Sequence, residues 1–281
     1  MSQAAAAGQV CLPGRPAGAL TGLRACLRAE WTKTRTVAGP AWLLAATAGL
    51  TVAVSVAVIA AVRCPAGMAC PVDPGRLSLT GVQLGQATVA ILGVLTISNE
   101  YSTGMMRTTL TAMPRRSLVL AAKAAVLTGE VIVAAAVGVL GSVLAGRLIM
   151  PGHGFTAARG FVPLSLASGP VLRAAGGSVL YLALIALLSL GIAALLRDSA
   201  AAIGIVLGLL YLAPIAASFI TNHHWSVRVE RYSPMPAGLA IQATRHLASL
   251  PISPWGGLGV LAAWAGAALL AGGLLLRLRD A

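Results

Sequence analysis

Glu130 is the only acid that falls well inside an apolar run of this 281-residue chain. A carboxylate in hydrocarbon is costly enough to count as a functional candidate by default. Two readings stand: a group on a pathway or gate, or a protonated or hydrogen-bonded group packed between helices. Gln83 and Gln86, at i and i+3, suit either the wall of a pathway or interhelical hydrogen bonds. Cys64 and Cys70 form a C-x5-C pair in one short loop, a weak metal signal and a candidate disulfide if that loop faces an oxidising exterior. His153, His223, His224 and His246 show no zinc spacing, so no metal site is expected. The sequence has no H-E-x-x-H, no G-x-S-x-G and no paired intramembrane carboxylates, which leaves no visible catalytic machinery. It also lacks G-x-x-x-x-G-K-[ST], so any ATP used must be bound by another polypeptide. The chain is read as a non-enzyme with no cofactor of its own.

The densest polar chemistry lies at 98–123. Read as a helix after Gly104, this stretch places Met106, Leu110 and Met113 at i, i+4 and i+7 on one face. Arg107, Thr108 and Thr111 fall on the other side. Gly104 lets the chain turn, and Pro114 ends the helix because it lacks an amide donor. Glu100 and Arg107 can make charge-assisted contacts, to a partner or to each other. Tyr101 precedes the turn, and Arg115 and Arg116 follow it. A short amphipathic helix pinned between two apolar runs suits docking at a membrane surface.

The elements that must hold these residues are dictated by composition. The chain is 58% hydrophobic and 10% charged, with a mean hydropathy of +0.87; no soluble core needs that much apolar surface, so the class is all-α integral membrane protein. The net charge of +13 is spread over loops rather than along one stripe, which fits topology and anionic headgroups better than nucleic acid. Six runs approach the roughly 20 residues needed to cross hydrocarbon, at 42–62, 80–98, 119–146, 177–196, 200–220 and 258–276. Residues 1–19 read as a disordered arm. Residues 20–36 read as an amphipathic helix lying in the headgroup region, with Leu20, Leu23, Leu27 and Trp31 as its stripe and Arg24, Arg28 and Arg35 on the border. Glu30 and Lys33 belong to the same helix, and Lys123 is placed at the interface, where it can snorkel. Gly204 and Gly208 form a G-x-x-x-G. Residues 237–250 suit a short interfacial helix or a re-entrant cap. Lys and Arg number twelve on the side of the termini and eight, more thinly spread, on the other; both termini are therefore expected in the cytoplasm of a multi-pass plasma-membrane protein.

Several pieces, in order, carry a resemblance: E-W-T-K-x-R at 30–35, E-Y-S-T-G-M-x-R-T-x-L at 100–110, P-R-R at 114–116, A-K at 122–123, V-L-R-A at 171–174, L-R-D-S-A at 196–200, S-P-W-G-G at 253–257 and the terminal L-R-D-A. The chain resembles the membrane subunit of an ABC-2 type ABC transporter, in particular the small actinobacterial permeases, over nearly its whole length. The resemblance implies a permease dimer, homo- or heteromeric, with the translocation route between its subunits. Two separate ATPase subunits, holding ATP and Mg²⁺, would bind below. Coupling would run through Glu100, Tyr101, Gly104, Met106, Arg107, Leu110, Met113 and Pro114 in the 99–116 loop, and through Glu30, Trp31, Lys33 and Arg35 of the N-terminal helix. It implies export without naming the cargo, and short external helices before the sixth span. The competing readings are an ATP-independent secondary transporter and a non-transporting scaffold or immunity protein.

Overall fold

The structure, a computed structural model, describes residues 19–64, 72–104, 116–156, 161, 164–219 and 222–278. Among them every regular element is helical. In chain order they are α1 (Ala19–Thr36), α2 (Ala38–Ala61), α3 (Pro74–Ser78), α4 (Val82–Ser102), α5 (Arg116–Ile149), α6 (Gly169–Leu196), α7 (Ser199–Leu207), α8 (Ala213–Ser218), α9 (His223–Tyr232), α10 (Pro234–Leu239) and α11 (Pro254–Leu278). A π-helical stretch, Gly208–Leu212, joins α7 to α8. Among the described residues six helical segments are long and apolar enough to cross a membrane, α7, the π-helical stretch and the start of α8 forming one of them. They fall where the apolar runs do, because in hydrocarbon only a helix satisfies its own backbone groups.

Side-chain registers fix how the six run. Gly138 of α5 packs on Ala48 and Thr51 of α2, and Gly141 packs on Val52, so α2 and α5 are parallel. The Gly81 amide donates to Ser55 Oγ at 3.0 Å, and the Thr47 and Thr88 hydroxyls meet at 2.7 Å; α4 therefore returns antiparallel to α2. Gly93 of α4 lies against Ala186 and Ser189 of α6, and Gly191 of α6 against Ala268 and Leu269 of α11. Hence α4, α6 and α11 share one direction. At Gly191 a Cβ would stand 2.6 Å from the Ala268 carbonyl carbon, so only glycine lets α6 and α11 approach this closely. The core is α6, whose Tyr181, Leu182, Ile185, Leu188 and Leu190 are fully buried.

The bundle thus has a near end, where α1, the end of α4, the start of α5 and the end of α11 meet, and a far end capped by the connections. At the near end Arg197 takes a left-handed conformation (φ 59°) and the Asp198 carboxylate caps α7 by accepting from the Ala201 amide at 2.7 Å. Arg197 and Asp198 thus make a tight hairpin between α6 and α7.

Two elements are placed in more detail than the sequence allows. First, α1 does not lie across the spans. Cys26 packs with Val119 and Ala122, Glu30 meets Lys123, and Thr34 lies near Glu130. Contacts that advance together on both helices run α1 alongside α5, in the same direction, for about two turns of α1. This is possible because α5, at 34 residues, is about 51 Å long and overreaches a hydrocarbon core of about 30 Å. Second, no helix fills 237–250. The helices of that connection are α9 and α10, followed by single 3₁₀ turns at Ala240–Gln242 and Leu247–Ser249. Pro234 opens α10 at its first turn, where a missing amide costs nothing.

Candidate functional site

At the near end four ionisable side chains from three helices meet. Lys123 Nζ of α5 donates to Glu100 Oε1 of α4 at 2.6 Å and to Glu30 Oε1 of α1 at 2.9 Å. Lys33 of α1 donates to the same Glu100 oxygen. Exposure grades outward: Lys123 0%, Glu100 2%, Glu30 12%, Lys33 35%. The two lysines balance the two carboxylates. A buried charge is tolerated only when paired and hydrogen-bonded, so these helices are held to one geometry. Glu30 and Lys33 reach the cluster together because i and i+3 share a helix face.

The placement of the cluster matters more than its energy. Glu100 stands just before the connection at 103–115, and Lys123 two turns into α5, the helix that follows it. Their ion pair ties the two roots of that loop to each other, and Glu30 and Lys33 tie both to α1. The Arg197 guanidinium lies 5.1 Å from the centre of the Tyr101 ring, a cation–π contact that adds the α6–α7 hairpin. Gly104, the last described residue before the loop, has φ +69°, a conformation glycine adopts without strain. Within the cluster Glu100 Oε2 is a buried acceptor with no hydrogen-bond partner among the described residues. The Cys26 thiol of α1 lies near the cluster and is pushed above its usual range by burial and then by Glu30, with Lys123 opposing.

Of the residues read as a coupling surface, Glu100, Tyr101 and Gly104 form the root of the loop. Met106, Arg107, Leu110, Met113 and Pro114 lie outside the described residues. The Glu100 carboxylate is engaged inside the chain, so it works on the loop's root and not as an outward contact. Lys123 is likewise corrected: it is wholly buried and ion-paired, not snorkelling. On α1, Trp31 and Arg35 stay exposed, the guanidinium 5.1 Å from the indole centre.

Glu130 is half-buried beside Thr34. The α2–α5 register sets it level with the start of α2, not mid-span. Gln86 is fully buried; it accepts from the Tyr181 hydroxyl and its amide donates to Met235 Sδ at 3.3 Å. That is the interhelical use. The Gln83 carbonyl accepts from the Tyr211 hydroxyl in the π-helical stretch, while its side chain lines a far-end cleft of about 370 Å³. Arg76 and Glu230 stand at this cleft, and Pro214, Met235 and Ile252 form apolar wall. Cys64 is disulfide-bonded; Cys70 lies outside the described residues. Among the described residues no three His, Cys, Asp or Glu side chains are placed to hold a metal.

Sequence reasoning missed one far-end residue. Asp73 caps α3 through the amides of Gly75 (3.0 Å) and Arg76 (3.3 Å), and also accepts from the amides of Thr244 (2.6 Å) and Arg245 (2.9 Å) and from the Thr244 hydroxyl. It latches the connection after α2 to the connection before α11. The Asp-Pro pair at 73–74 was a readable cap signal; the second half of the latch, 171 residues away in sequence, was not.

No family model matches this chain, and no curated protein matches it.

Proposed function

We propose that the chain is the membrane-spanning subunit of an ATP-driven exporter of the ABC-2 type. It would work as a dimer whose partner ATPase docks at the near end, which is then the cytoplasmic end in the plasma membrane. The observation that carries this reading is the ion-paired clamp on both roots of the 103–115 loop. A loop that only connects two spans needs no such anchoring. A loop that receives force must pass it on without yielding, and here a push on it reaches α4, α5 and α1 together. The order of the motifs at 30–35, 100–110, 114–116 and 196–200 supports the same reading.

The test is affinity purification of the tagged full chain from native membranes, then ATP hydrolysis and transport in proteoliposomes. A separately encoded ATPase with a phosphate-binding loop is expected to co-purify. Glu100→Ala and Arg107→Ala are expected to lower transport per ATP while membrane insertion stays normal. Recovery of the chain without any ATPase, or unaltered transport in both variants, counts against the proposal.

A further inference from the structure

One groove at the near end belongs neither to the charge cluster nor to the far cleft. It runs between the first turns of α5 and the last turns of α11 and has a volume of about 310 Å³. The helices are antiparallel here, so the lining pairs off. Ser117 and Arg277 share one end. Leu120 faces Gly273, where a Cβ would meet Leu120 Cδ2 at an ordinary 3.5 Å. Ala124 and Leu269 close the other end. Seven residues of helix make the groove about 10 Å long. It is polar at one end and aliphatic along the rest.

The groove opens to the outside of the bundle: Leu270 and Leu274 on its wall are 72% and 57% exposed. Its polar end is positive. Arg277 has no ion pair among the described residues. The first turn of α5 holds no acid, so the positive end of that helix is uncompensated. Arg115 and Arg116 directly precede Ser117 in sequence.

We propose that this groove binds one anionic phospholipid, an acyl chain lying along the outer face formed by Leu120, Ala121, Leu270 and Leu274 and the phosphate held by Arg277 and the Ser117 hydroxyl. Basic pockets between membrane helices take up anionic headgroups in this way. A second copy of the chain fits less well. Most near-end acids among the described residues are already engaged, Glu30 and Glu100 by lysines and Asp198 by the Ala201 amide, and Glu130 is half-buried on α5 away from the bundle end. Among the described residues a second copy therefore offers no spare near-end carboxylate for Arg277, whereas an anionic lipid brings one negative charge on an aliphatic body. The inference needs only a membrane, and stands apart from what drives the protein.

The test is native mass spectrometry of the full chain in neutral detergent with equal dioleoyl-phosphatidylglycerol and dioleoyl-phosphatidylcholine. One phosphatidylglycerol is expected to be retained in preference. Arg277→Gln is expected to reduce that preference about fivefold, the effect of one basic residue at an anionic surface. Gly273→Leu fills the groove and is expected to lower retention of both lipids. Thermal unfolding without lipid checks that each variant folds; should Gly273→Leu fail, Ala121→Phe fills the groove from the exposed side of α5. Equal retention of the two lipids, or an unchanged preference in Arg277→Gln, overturns the proposal. So does a dimer that becomes monomeric in Gly273→Leu with lipid retention unaltered, which would assign the groove to a second copy.

Discussion

Lys123 has no exposed surface and two carboxylates on its ammonium, so its removal strands charge rather than merely losing contact. Lys123→Met leaves Glu100 buried with only the half-exposed Lys33. The expected loss is about 3–5 kcal/mol, the usual cost of breaking a buried pair from one side, read as a lower denaturation midpoint in micelles. Lys123→Met combined with Glu100→Leu removes both buried charges and is expected to recover much of that loss. If the double variant is no more stable than the single, the cluster is not the anchor described. At the far end Asp73 invites a finer substitution. Asp73→Asn keeps the size but turns an amide toward the Thr244 and Arg245 amides, which need acceptors. Loss of charge-assisted bonds of this kind costs about 2–3 kcal/mol. Proteolysis within 240–250 should accelerate while the near end stays protected.

At the scale of elements, α1 is held by Glu30, Lys33 and the small apolar contact around Cys26. The Cys26 thiol reports on that contact. Its pKa is raised by burial first and by Glu30 second, so little thiolate is present near pH 8 and alkylation of the native chain should be slow. Glu30→Gln removes the carboxylate that raises the pKa and weakens the bond that keeps α1 on α5. Both effects act in the same direction, toward faster labelling. Peptide mass spectrometry of Cys26 after alkylation at pH 8 measures it; an unchanged rate would mean that α1 docks without Glu30. The six spans were legible because each must bring its own run of apolar residues. Their ends were less so. α6 starts at Gly169 and not near 177, since a helix need not stop where the hydrocarbon does. The posture of α1 was not legible, because an apolar stripe bordered by arginines reads alike for a helix on lipid and one on another helix. Nor was the pairing of Lys123, since Glu30 lies 93 residues away from it. The π-helical stretch left no mark in the composition.

Across the whole molecule, Ala19 and Leu278 bound helices that meet at one end, while the Asp73 latch and the cleft stand at the other. With the near end in the cytoplasm, as proposed above, membrane-impermeant maleimide on intact cells should label Leu247→Cys, and Arg277→Cys only after permeabilisation. Labelling of both from one side would sink the six-span arrangement. The two ends are joined by α4, which carries Glu100 near one terminus and Gln83 and Gln86 near the other, about 21 to 26 Å away along the helix. Gln86 is bonded to Tyr181 of α6, and the Gln83 carbonyl to Tyr211 of the π-helical stretch, so a shift of α4 must be taken up by both neighbours. If a docked ATPase pushes the 103–115 loop, the clamp delivers that push to the rod that walls the far cleft. In the ATPase complex, a cysteine at Ile252, on the cleft wall, is then expected to change its labelling rate when ATP is added. In Glu100→Ala the complex should still form, and the rate at Ile252→Cys should no longer respond. A response that survives Glu100→Ala removes the clamp from the coupling path, while a native complex that never responds removes the far cleft from the transport cycle.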